Sequence, residues 1–181
     1  SFGAEILIPG LLAVSITREL GPMLTALVIA GRAGAAMTAE IGSMKVTEQV
    51  EALEAMSVDP VEHLVVPRLW ASIVTVPLLT IFASTVGILG GFVVCVTKLG
   101  ISPTTFYKEA FRTMVLGDVT AGLVKSLIFA VLICIVSSYQ GLRVAGGAGG
   151  VGRYTMRAVV LSFLFIILAD FISTVIFYLI P

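Results

Sequence analysis

From Ala71 to Val96 the chain carries no charged side chain. As a helix this run is roughly 39 Å long at 1.5 Å per residue. About 20 helical residues cross a hydrocarbon core of ~30 Å, so the run reads as a membrane span, tilted or kinked at Pro77. Two further runs repeat the pattern with one interruption each. Val119 to Leu142 is interrupted only by Lys125, and Ala158 to Ile180 only by Asp170. A fourth, from about Ile6 to Ala36, contains Pro9, Arg18, Glu19, Pro22 and Arg32, and is expected to be long and bent or broken.

Composition agrees with four spans. Of 181 residues, 58% are hydrophobic and 12% charged, about half the charged fraction of soluble domains. A soluble enzyme and a disordered chain are excluded. Lys plus Arg number 11 and Asp plus Glu number 11, so no net field attracts a nucleic acid. The expected fold is an all-α integral membrane protein, a polytopic bundle of about four spans, with residues 1–181 forming a single transmembrane domain. Position 1 is Ser and no signal peptide precedes the first apolar run, so the chain is expected to lack its true beginning.

Three connections remain, at residues 37–67, 97–118 and 143–157. Parity places the first and third on one side. With the span ends, that side carries Arg32, Lys45, Arg68, Arg143, Arg153 and Arg157, against Lys98, Lys108 and Arg112 on the other. The positive-inside rule makes the first and third connections cytoplasmic. Within the first, Val46, Val50, Leu53 and Met56 recur at helical spacing, so 45–56 reads as an amphipathic helix with Glu48, Glu51 and Glu54 on its other face. It should stop near Ser57, before Asp59-Pro60. Such a helix either lies in the membrane interface or docks on a partner. Its acidic face argues against the first, and the chemistry alone leaves both open.

Ionisable groups at membrane depth are costly and face a partner or a wet cavity. Arg18, Glu19, Lys125 and Asp170 are the candidates. Their positions along the spans place all four roughly 9–20 Å deep in the outer half. They either brace the helices as a buried ion-pair network or line a cavity that meets a charged headgroup, and the two roles are compatible. Leu20, beside the pair, is either an acyl-chain contact or a packing residue. Small residues at Ala30, Gly31, Gly34 and Ala35, and at Gly87, Gly90 and Gly91, follow the spacing of close helix packing. Cys95 and Cys134 read as buried membrane thiols, and His63 as a solvated loop residue. The glycine run from Ala145 to Gly152 lacks the Gly-Lys-Ser/Thr of a phosphate loop and reads as a flexible turn. No hydrolase or metalloprotease motif is present, so no catalytic residue, metal site or cofactor is expected in this chain.

The segment 18–71 is more specific. Arg-Glu-Leu-Gly-Pro (18–22), Ala-Gly-Arg-Ala-Gly (30–34), Thr-Ala-Glu-Ile-Gly (38–42), Thr-Glu-Gln (47–49), Val-Asp-Pro (58–60) and Pro-Arg-Leu-Trp-Ala (67–71) follow one another. Together they resemble the MlaE/YrbE family of ABC-transporter permeases, and the resemblance continues through Lys125-Ser126 and Ala169-Asp170-Phe171. It implies a homodimeric permease core of a lipid transporter in the bacterial inner membrane, with related proteins in plastid envelopes. It implies two cytoplasmic ATPases that hold ATP and Mg, an MCE-domain partner on the outer side, and phospholipid as cargo. It also implies that 45–56 is the coupling helix, with Lys45, Val46, Glu48, Gln49, Val50, Glu51, Leu53 and Glu54 facing the ATPase. Arg18, Glu19, Leu20, Lys125 and Asp170 would line or brace the lipid cavity. Family members carry about one more amphipathic helix and one more span before the region matching Ala4. The rival readings are an ion-driven transporter that titrates Glu19 and Asp170, and a structural scaffold.

Overall fold

The computed structural model describes the backbone of residues 2–179 and the side chains of residues 7–177 and Leu179. Ile180, the expected end of the last span, lies outside the described residues. The described chain is helical in all its regular elements. α1 (Phe2–Ser15), α2 (Gly21–Ile29) and α3 (Ala35–Val46) run on as one helix through two five-residue π-helical turns, Ile16–Leu20 and Ala30–Gly34. The junction residues Ser15, Leu20, Ile29 and Gly34 all keep right-handed helical angles. The expected break is therefore absent. The cause lies beside Pro22. A proline ring clashes with the carbonyl four residues back in an α-helix. The π turn just before it widens the winding, and Gly21 N–H donates to Ile16 O instead.

α4 is short (Gln49–Ala55). A third π turn (Val61–Val65) leads into α5 (Val66–Leu99), again immediately before a proline, Pro67. α6 (Pro103–Thr113), α7 (Leu116–Leu142) and α8 (Gly147–Leu179) complete the order. Four stretches are long and apolar enough to cross a membrane: Leu7–Val46, Val61–Leu99, Leu116–Leu142 and Gly147–Phe177. The chain is an integral membrane protein of the all-α class.

α7 is the central helix, packed against α2, α3, α5 and α8. Ala26, Ala30, Phe129, Ile133 and Ile166 form one core where α2, α7 and α8 meet. Small residues permit that approach. A Cβ on Gly34 would lie 2.9 Å from Ser137 Oγ, and one on Gly122 would lie 2.3 Å from the Thr17 carbonyl oxygen. Gly87 and Gly91 likewise take Ile16 and Leu12, whereas Gly90 meets no other helix among the described residues. Cys95 and Cys134 are buried and free.

Three expectations about the connections are corrected. The first is narrower than 37–67, because the helix continues through Glu40 to Val46 and restarts at Val61. Arg68 Nη2 donates to Glu40 Oε2 at 3.1 Å, so a tertiary partner carries the helix through this polar stretch. The expected helix over 45–56 is divided. Lys45 and Val46 end α3, Glu48 turns left-handed at φ 60°, and only Gln49–Ala55 is helical beyond it. Val46 and Val50 therefore do not share one stripe, and Met56 stands 65% exposed. The helix does end just before Ser57, as expected.

The second connection holds a helix that the reading missed. α6 is capped by Ser102 Oγ, which accepts from Thr105 N at 3.2 Å, and it buries Phe106 and Ala110 with Ala13 and Cys95. In the third, the flexible turn shrinks to a few residues. Gly146 (φ +89°) and Gly147 (φ +66°) make the reversal, and Gly149 to Gly152 are already helical. Gly42 of α3 packs on Val144 and Val151, which places the first and third connections at the same end.

Candidate functional site

Lys125 is 0% exposed and lies about a third of the way along the central helix. Counting from Leu116, it is roughly 14 Å down α7. A lysine there needs an acceptor for each of its three N–H groups. It finds them on two other helices. Nζ donates to Glu19 Oε2, to Asp170 Oδ1 at 3.1 Å and to Thr174 Oγ1 at 2.7 Å. The Thr174 hydroxyl lies 3.2 Å from Glu19 Oε2 and 2.9 Å from the Asp170 carbonyl oxygen, and so ties the two carboxylates' elements together.

The network continues outward. Arg18 Nε is 3.8 Å from Glu19 Oε1, and Arg18 Nη1 is 3.5 Å from Asp118 Oδ1. Asp118 Oδ2 also accepts from Val115 N at 3.0 Å and so caps the start of α7. All four expected charges thus belong to one network. Sequence reasoning missed Asp118 and Thr174. Asp118 stands seven residues before Lys125, on the same helical face, which was the available signal. Thr174 is uncharged and follows Asp170 by one turn. Fully ionised, the cluster has two cations and three carboxylates, one negative charge in excess. Leu20 does not join it; its side chain is 47% exposed on the outer surface of the bundle.

The site has a wet end and a dry flank. Arg18 and Asp118 line a surface pocket of about 380 Å³ with Thr120 and Phe177. Beside the cluster, Thr17, Ile81, Ile88, Met114, Val119 and Leu123 help line a cavity of about 170 Å³ between α5 and α7. A charged mouth next to an apolar cavity matches a molecule with a polar head and an apolar body.

At the other end of the bundle, α4 buries one side chain. Val50 is 2% exposed, while Glu48, Gln49, Glu51 and Glu54 are exposed and Leu53 half-buried. Lys45 Nζ donates to Glu51 Oε1 across the turn. That hydrogen bond, with a backbone one, holds the Glu51 carboxyl below its ordinary range. The turn therefore fixes α4 on α3 and leaves an acidic surface free. His63 is exposed, as expected, but it stands in the Val61–Val65 helical turn and not in a loop.

A family model described as Permease MlaE matches residues 1–176. A Rickettsia typhi protein named probable ABC transporter permease protein is 44% identical over 173 residues, 96% of this chain and 67% of that protein. A Synechocystis protein of the same description is 47% identical over 170 residues, 94% of this chain and 65% of that protein. The Haemophilus influenzae intermembrane phospholipid transport system permease protein MlaE is 39% identical over 178 residues, 98% of this chain and 68% of that protein. The chain spans about two thirds of the length of these relatives.

Proposed function

The chain belongs to the MlaE permease family, and on that premise we propose that it is the membrane subunit of an ATP-driven phospholipid transporter. The observation that carries this reading is the charged mouth at Arg18 and Asp118 beside the apolar cavity between α5 and α7. The mouth suits a headgroup, and the apolar flank suits part of an acyl chain. Lys125, Glu19, Asp170 and Thr174 brace the mouth by tying the first long helix, α7 and α8 together.

Energy enters from a separate subunit, because this chain carries no phosphate loop. We assign its docking surface to α4 and the preceding turn. Lys45, Val46, Glu48, Gln49, Val50, Glu51, Leu53 and Glu54 occupy that joint, between the two longest spans, where a push on α4 reaches both. ATP and Mg belong to that ATPase. Two copies of the permease form the core in the bacterial inner membrane, and an MCE-domain protein meets it on the outer side. ATP hydrolysis rocks the dimer and moves lipid between the membrane and that partner.

The test is affinity purification of the chain in mild detergent, followed by mass spectrometry. A stoichiometric nucleotide-binding subunit and bound phospholipid are expected. A chain that comes down alone and lipid-free overturns the reading and favours an ion-driven transporter working through Glu19 and Asp170.

A further inference from the structure

Arg32 was expected near the end of its span, but the helix continues to Val46, about 21 Å further on. It is therefore an arginine inside a membrane-spanning helix. Its side chain is exposed, and none of the ion pairs among the described residues includes it. An exposed guanidinium at membrane depth must reach an anion or water.

Its depth follows from the helix register. Gly21 packs on Ser84, and Glu40 pairs with Arg68. Interpolation sets Arg32 abreast of about Thr75, five residues or ~8 Å deeper than Trp70. Trp70 is 64% exposed and stands between Arg68 and the charge-free run that begins at Ala71, and an exposed tryptophan at such a boundary marks the headgroup level. Arg32 is thus one snorkelling side chain away from lipid phosphates.

Below it, on the same face, runs an apolar groove of about 290 Å³. Leu24 and Val28 line one wall, and Leu79 and Phe82 the other. Val28 precedes Arg32 by four residues, so the groove begins one turn beneath the guanidinium. All four wall side chains are about half exposed or more.

We infer that Arg32 and this groove form a second phospholipid seat, in the half of the membrane nearest α4. Arg32 holds the headgroup phosphate, and one acyl chain lies along Leu24, Val28, Leu79 and Phe82. The occupant is a phosphate-bearing membrane lipid because the seat offers one cation above a trough whose lining is apolar except for Thr25. Arg32 stands 13 residues from Glu19, about 20 Å along the same long helix, so the headgroup end of this seat is separate from the charge cluster, and it does not depend on the transport reading.

The test uses static binding by the full chain in vesicles. Val28→Trp is combined with Trp70→Phe, so that a single fluorophore reports the groove. Quenching by dibrominated phosphatidylglycerol is compared with quenching by dibrominated diacylglycerol, which lacks the phosphate. The phospholipid should be favoured about fivefold, the effect of one cation near a membrane surface. Arg32→Gln should abolish that preference and Arg32→Lys should retain most of it. Excess inorganic phosphate should leave the quenching unchanged. Displacement by free phosphate would show an aqueous anion site instead. Equal quenching by the two lipids, a preference untouched by Arg32→Gln, or no quenching by either lipid overturns the proposal. Because no ATP or transport is measured, a failure here and a failure of the transporter reading are distinguishable.

Discussion

Lys125 is satisfied only because α1–α2 and α8 arrive at its height together. Replacing it with Met removes the cation between Glu19 and Asp170 and leaves only Arg18, on the outer side of Glu19. Breaking a buried ion pair from one side costs about 3–5 kcal/mol, so the Lys125→Met chain should unfold at markedly lower temperature in detergent. Adding Glu19→Gln and Asp170→Asn should recover most of that loss, since neutral partners no longer repel. A triple variant as unstable as the single one would deny the network its bracing role. Glycines give a sharper contrast. A Cβ on Gly122 strikes the Thr17 carbonyl oxygen at 2.3 Å, whereas Gly149 has open space around it within a helix. Gly122→Ala should cost about 1–3 kcal/mol through forced separation of helices. Gly149→Ala should gain about 0.5–1 kcal/mol from backbone entropy. Thermal unfolding of the two variants side by side checks both.

At the scale of elements, α4 is the segment whose surface is least committed to the bundle. Reversing its charge with Glu48→Arg and Glu51→Arg should uncouple a bound ATPase, while the Val50 anchor keeps the permease folded. Unchanged ATPase activity in the assembled complex would remove α4 from the coupling path. The Lys45–Glu51 contact also has a pH sign. Glu51 titrates lower when folded than unfolded, so the contact stabilises the turn at neutral pH and is lost as pH falls through the lowered value. Protease nicking near residue 48 should rise in acid, and the rise should vanish in Glu51→Gln. The limits of the sequence are clearest at this scale. The spans were legible because charge-free runs allow no other helix of that length. The charge cluster was legible because intramembrane charges must meet. Helix ends were not, since the passage through Glu40 rests on Arg68 from another span. α6 did carry a signal, a Ser102-Pro103 start with Phe106 and Ala110 one turn apart, but its charged face read as a loop. The division at Glu48 had none, because a left-handed glutamate is a local cost that tertiary packing sustains.

For the whole molecule, α4 and the α7–α8 turn share one end and α6 lies at the other. A cysteine at Lys108, exposed on α6, should react with an impermeant label only from the outside of intact cells. One at Glu54 should react only after permeabilisation, and the reverse pattern would invert the topology. The buried lysine also orders the chain's birth. Glu19 leaves the ribosome first and Lys125 follows 106 residues later, so its first counter-ion is already waiting. Asp170 comes another 45 residues on. At about 5–20 residues per second, that second partner arrives roughly 2–9 s late. During that interval Lys125 has only one of its two carboxylate partners, and α7 is not yet tied to α8. A synonymous change of translation speed between codons 125 and 170 would lengthen or shorten that interval without altering any residue.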